Sequence, residues 1–355
     1  MLSIVGSSLS PTDGRPQRGQ MFRATRSSSP PRFDVVGVGE SMLTLYRDPN
    51  GSDAFAWDIG GAESNVTRNC AALGLNSAWI SRLGTGMAGS LVHDVITASG
   101  VDTSLVEFCS DSPTGLMLRE PPGREPRVQY YRRGSAASQM SPLSVSVEAC
   151  LDSKIVHVTG ITLALSDGCR DLVRLVLSTP ADALRSFDVN WRPALWPETP
   201  RDLLLEVANL ADIVFVGLDE AREIWGLTDP HDVREMLSQP ACLVVKDGAC
   251  GVYTFMSGTA TFEPALRGPT VDSMGAGDAF AAGFLYGLLA RPDDLRWSLR
   301  LGHIVAMSAL ISETDVGRPP EWPEIERMLM ADAEQWQTIT YPESPLAAPQ
   351  EAEPT

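Results

Sequence analysis

An α/β fold with a mainly parallel central sheet, covered by helices on both faces and carrying a small β lid, is what this sequence predicts. Three observations carry that expectation. Apolar runs of strand length recur at Asp34–Val38, Ala78–Ser81, Ile155–Thr159, Leu184–Asp188, Ile213–Val216 and Cys242–Val245. Helical stretches such as Ser64–Leu73 and Arg201–Ala208 stand between most of them, and near-continuous apolar strands alternating with helices imply a parallel sheet buried on both sides. The segment Thr114–Arg133 breaks this pattern. It reads strand (Thr114–Arg119), turn (Pro121–Pro126), strand (Arg127–Arg133), with no helix between. With part of Met42–Ile59 it is expected to form the lid, drawn from residues 42–59 and 112–133.

Composition bounds the rest. A chain of 355 residues with 43% hydrophobic content can bury a large core, and at this length one main domain with a smaller appendage is expected. Residues 32–335 are assigned to that domain. Residues 1–31, rich in Ser, Pro, Gly and Arg, are expected to be disordered, either a start-site extension or a targeting peptide. Residues 336–355 are expected to be a loose tail. The net charge of -17, with no block of Lys or Arg, argues against nucleic acid or membrane as partner. It leaves room for a small anion held by a local positive site. The six cysteines contain no Cys-x-x-Cys pair and the four histidines are isolated, so neither a zinc site nor a Ser-His-Asp triad is suggested. Scattered thiols of this kind fit a reduced, cytoplasmic protein. No apolar run reaches the roughly 18 residues that a membrane span needs.

The chemistry concentrates in Asp272–Phe280, Asp-Ser-Met-Gly-Ala-Gly-Asp-Ala-Phe, followed by a helical run Ala281–Leu289. Gly275, Ala276 and Gly277 leave backbone N–H groups free at a helix start, which is an anion site. Asp278 falls in the first turn, beside any phosphoryl group held there and placed to accept a proton from an attacking hydroxyl. A Gly-rich turn with a simple helix-start charge is the plain alternative. Further residues read as ligand-facing. In an extended Arg127–Arg133, Tyr130 and Arg132 share a face, and an Arg beside a Tyr can clamp a carboxylate. Asp188, Asn190 and Arg192 share a face near a strand end, where α/β sheets bind ligands. Gly84-x-Gly86-x-x-Gly89 lacks the βαβ context of a dinucleotide loop.

Gly275–Phe280 resembles the C-terminal signature of the PfkB/ribokinase family, and Gly60-Gly61-Ala62 followed by Asn65 resembles its N-terminal one. Lys246-Asp247-Gly248-Ala249-Cys250-Gly251 resembles its nucleotide turn. The lid strand and Phe187–Trp196 are similar to those of 2-keto-3-deoxygluconate kinases. The match runs from about Phe33 to Leu329. Ser273 and Met274 depart from the usual Thr-rich lead-in.

The resemblance implies a ribokinase-like three-layer α/β/α sandwich and an ATP-dependent, Mg²⁺-using sugar kinase. It makes Asp278 the catalytic base, with the Gly275, Ala276 and Gly277 amides as anion hole. It assigns the sugar acid to Gly60, Gly61, Asn65, Tyr130, Arg132, Arg192 and Asp278. ATP is assigned to Asn190, Arg192, Lys246, Gly248, Gly251 and the Gly275–Gly277 turn, and Mg²⁺ to Glu220 through water. Exposed edges of lid strands favour a homo-oligomer joined through the lid. A fructokinase or other neutral-sugar kinase, and a non-catalytic sugar-binding regulatory protein, are the rival readings.

Overall fold

The computed structural model describes residues 30–47, 54–121 and 127–341. In chain order its strands are β1 (Phe33–Val38), β2 (Met42–Arg47), β3 (Phe55–Gly60), β4 (Ser77–Ile80), β5 (Arg82–Gly84), β6 (Glu107–Cys109) and β7 (Leu116–Arg119). They continue with β8 (Val128–Tyr131), β9 (Ser153–Thr159), β10 (Leu184–Asp188), β11 (Ile213–Gly217), β12 (Cys242–Asp247), β13 (Gly251–Met256) and β14 (Thr259–Pro264).

The six apolar runs become β1, β4, β9, β10, β11 and β12, which pair in parallel. The eight-stranded sheet has the order β14-β13-β12-β11-β10-β9-β1-β4. Alternation along each strand divides its apolar residues between two layers. Val35, Ile155, Phe215 and Val244 pack with helices Ala62–Ala72, Ala276–Ala290 and Leu295–Leu310. Val36, Val156, Val216 and Val245 pack with Asp167–Ser178, Arg201–Ala208 and Leu218–Trp225 on the other side. This is the three-layer sandwich, and it puts the strand C-termini along one edge.

The sequence reading missed β13 and β14, which extend the sheet antiparallel. Polar Thr254 and Glu263 are buried within them, and Thr259, Ala260 and Phe262 of β14 are exposed, so they lack the continuous apolar run that marked the buried parallel strands. The lid is a separate four-stranded sheet of order β3-β2-β7-β8, with β7 and β8 the antiparallel hairpin read from Thr114–Arg133. Residues 122–126 of its turn lie outside the described residues, as do residues 1–29 of the expected disordered segment.

The boundary at residue 336 is corrected. Helix Ala333–Thr338 docks on the body: Trp336 is buried and donates its indole N–H to the Pro264 carbonyl (2.8 Å), and Tyr341 is buried beside it. These two aromatic side chains outweigh the polar character that made this stretch read as tail. Among the described residues no helix is long and apolar enough to cross a membrane.

Candidate active site

The Asp272–Phe280 motif folds as its glycines dictate. Gly275 caps helix Ala276–Ala290 with φ 77°, a left-handed conformation that favours glycine, and a side chain there would collide with the Asp315 carbonyl. Ala276 N–H makes a long bond to the Ser273 carbonyl (3.4 Å), and the first-turn N–H groups lack a carbonyl one turn back within the helix, so they gather at its positive end. Asp278 lies in that turn, partly exposed. Asn65 donates to its Oδ2 (2.9 Å) and Asn190 to its Oδ1 (3.3 Å). Two residues assigned from separate motifs thus meet on one carboxylate.

Desolvation pushes the Asp278 carboxyl up to about 7. The Asn65 hydrogen bond opposes that shift, nearby Asp188 adds to it, and Arg192 and Lys246 work against it. Lys246, at the end of β12, donates to Asp188 (2.8 Å), and burial is outweighed by that carboxylate and Glu220, so its pKa is raised. Its Nζ approaches to 3.5 Å of where a side chain on Gly277 would begin. A cavity of about 330 Å³ opens beside it, lined also by Gly248, Asp219 and Arg222.

The residues that the resemblance assigns to the sugar are drawn in by close backbone packing. Gly60 ends β3 against the Asp315 carboxylate, where a side chain would come within 2.9 Å of Oδ2, and Gly61 abuts the Glu40 carbonyl. Tyr130 sits on the inner lid face opposite Met117. Arg132 lies 5.6 Å from the Tyr130 ring, as the shared face requires, yet its guanidinium is ion-paired with buried Glu40. Its buried Nε has no partner among the described residues.

Three readings are refined. β10 ends at Asp188, and Asn190 takes φ 39°, so Asp188, Asn190 and Arg192 converge through a turn rather than by strand alternation. Arg192 is exposed and donates to the Trp191 carbonyl (2.8 Å). Glu220 spends both carboxylate oxygens on backbone donors, Trp191 N–H (2.7 Å) and Gly217 N–H (2.6 Å). It therefore acts first as the pin that holds the Asn190–Arg192 turn. Gly251, at φ 145°, lies under the Phe262 ring and the Glu263 backbone, inside the β13–β14 hairpin. Among the described residues no group of three His, Cys, Asp or Glu is arranged to hold a metal ion.

Sequence reasoning missed Asp315, Glu40 and Arg119 as site components, and it read Asp188 as ligand-facing without its pairing to Lys246. Asp315 is buried, pushed up to about 6 by desolvation, and shares the Asn65 amide with Asp278 (3.5 Å to Oδ2). It comes from an irregular loop 250 residues from Asn65, with no motif to mark it.

A helix start built for an anion, facing a carboxylate at the open edge of a three-layer α/β sandwich, defines a phosphotransferase of the sugar kinase type. The pfkB family carbohydrate kinase pattern matches residues 32–322, and the chain belongs to that family. It is 35% identical over 274 residues to a 2-dehydro-3-deoxygluconokinase of Bacillus subtilis (strain 168), covering 73% of this chain and 84% of that protein. A second 2-dehydro-3-deoxygluconokinase, from Thermoproteus tenax, is 35% identical over 294 residues, covering 79% and 88%. The crystal structure of a PfkB protein from Polaromonas sp. JS666 superimposes with a TM-score of 0.74 at 30% identity, covering 84% of this chain and all of that one. The protein is an ATP-dependent carbohydrate kinase.

The raised proton affinity of Asp278 is directly measurable. Carbon-detected NMR of the side-chain carboxyls should show Asp278, assigned with Asp278→Asn, titrating near pH 7. Asn65→Ala removes a donor that favours the ionised form, so the midpoint should move upward. A wild-type midpoint below about 5, close to an unperturbed aspartate, contradicts the desolvated site.

Proposed function

We propose that this kinase transfers the γ-phosphoryl group of ATP to the primary C6 hydroxyl of 2-keto-3-deoxygluconate or a similar sugar acid. The observation that carries the reading is Asp278, poised near neutrality beside the amides of the Gly275–Gly277 turn. A base with that proton affinity is ionised often enough to act and basic enough to take a hydroxyl proton.

The sugar lies against Gly60 and Gly61 under the lid, with Asn65 within reach of its hydroxyls. Asp278 accepts the C6 hydroxyl proton as the oxygen attacks the γ-phosphorus in line. The bond to the ADP oxygen breaks, and the Gly275, Ala276 and Gly277 amides meet the developing negative charge. Each such donor is commonly worth about 3–4 kcal/mol. Lys246, Gly248 and the cavity beside them receive the nucleotide phosphates. Bound with ATP, Mg²⁺ would supply positive charge against the phosphates, and Glu220 is the residue that would stand toward it. Since Glu220 already holds two backbone donors, it would meet the ion through water.

Selection for an acid rests on Arg132. Its guanidinium keeps a buried, unpaired Nε beside Tyr130 while Glu40 fixes it in place. A substrate carboxylate would supply the missing acceptor. A neutral-sugar kinase of the same family is the rival, and it has no use for that donor.

We also assign the outer lid face to a second copy of the chain. Phe55, Trp57 and Tyr131 are 59%, 46% and 52% exposed there, beside half-buried Leu43, Leu45, Leu116 and Leu118. Register aligns them into one apolar surface across four strands.

Coupled ATP-consumption assays across a panel of sugars and sugar acids test the reading. 2-Keto-3-deoxygluconate should give the highest kcat/KM, and Asp278→Asn should abolish turnover while ATP still binds. Full activity of that variant removes Asp278 from the role of base. Arg132→Ala should lower kcat/KM for acid sugars about tenfold or more and leave neutral ones nearly unchanged. Fructose or ribose as the best wild-type substrate would refute the carboxylate clamp. For the lid, light scattering should find a dimer that Trp57→Glu converts to monomer; identical masses for the two proteins would rule the interface out.

A further inference from the structure

Arg119 ends β7 on the inner face of the lid and is buried, an unfavourable place for a cation without partners. Its partners all lie far along the chain. The guanidinium is ion-paired with Asp272 and donates to the Glu313 carbonyl (3.0 Å), and Nη1 reaches the Met274 sulfur (3.9 Å). Within the lid it lies 5.2 Å from the Tyr46 ring. These partners belong to two segments that flank Gly275. Asp272 turns its other oxygen to the Met274 N–H (3.0 Å), which shapes the approach to Gly275 from one side. Glu313 stands two residues before Asp315, whose carbonyl packs against Gly275 from the other side.

We propose that Arg119 is a positioning residue: by clamping the Asp272 and Glu313 segments from the lid, it fixes the turn that aims the Gly275–Gly277 amides. This deepens, and rests on, the assignment of those amides as the anion hole. Arg119 touches neither transferred group nor base. It links the seating of β7 to the alignment of the donors, so that a displaced lid leaves the donors unheld. A misalignment of that kind lowers the rate of the chemical step more than it weakens ground-state binding.

The test combines a structural and a kinetic readout on the full chain. Backbone amide exchange, measured by mass spectrometry, should accelerate about tenfold in peptides spanning residues 272–280 of Arg119→Met, with core-strand peptides unchanged. Asp272→Asn should do the same, and the double variant should exceed the stronger single by no more than about threefold. In turnover, Arg119→Met should lower kcat about 10- to 100-fold with KM for ATP within about threefold. Arg119→Lys keeps charge on Asp272 but gives up the fork to Glu313. It should fall between wild type and Arg119→Met, and it serves in place of Arg119→Met should that variant not fold. Unchanged exchange at 272–280, fully additive single effects, or a loss confined to KM each overturn the proposal. Absence of wild-type turnover would instead strike the kinase mechanism, and the exchange result would still decide the clamp.

Discussion

Negative charge crowded into a poorly hydrated cleft is the constraint on which the site depends. Asp278, Asp188, Asp315 and Glu220 stand together at the strand ends, and desolvation raises the proton affinity of Asp278, Asp315 and Glu220. Lys246 is one of only two lysines in a chain of net charge -17. It is paired with Asp188 and holds its proton more firmly for it. An incoming polyphosphate adds charge of the same sign. Binding it with further arginines would drag the carboxylates toward their ionised forms and pull Asp278 below neutrality. Backbone N–H groups at a helix start avoid this, because they offer partial positive charge at short range while adding no net charge. The glycines permit that close approach without side chains in the way.

How far this was legible in the sequence follows from how local each duty is. Gly275 announces its left-handed turn because only its own backbone is concerned, and Asp278 is fixed by its place three residues on. The six parallel strands were legible because burial on both faces leaves an unbroken apolar run. β13 and β14 were not, since an edge hairpin mixes polar and apolar positions. Glu40, Arg119 and Asp315 answer to partners 95 to 250 residues away, a relation that spacing cannot express. One signal was available for Arg119: strict alternation in Leu116–Arg119 puts it on the buried face with Met117, and an arginine on a buried face needs a carboxylate. Glu220 carries a duty that the sequence did not express. The resemblance implies a metal contact through water, and the structure adds two backbone N–H groups, from Trp191 and Gly217, that its carboxylate accepts.

The lid extends the same reasoning to its own two surfaces. A sheet of a soluble domain usually turns its apolar face inward. Here the inner face carries Thr44, Tyr46, Asp58, Arg119 and Tyr130, and the outer one Leu45, Trp57, Leu118 and Tyr131. A polar inner face is sensible only over a cleft that holds polar ligands, and an apolar outer face only under a cover. Both follow from one register, because successive residues point to opposite sides. A slip of one residue between β2 and β7 would send Arg119 outward and Leu118 into the cleft, breaking the Asp272 pairing and the outer patch at once. The clamp on the phosphate turn and the surface assigned to a second copy are therefore not separable features. Whatever seats the outer face of the lid also seats Arg119, and through Asp272 and Glu313 it reaches the Gly275–Gly277 donors assigned to the transferred phosphoryl group.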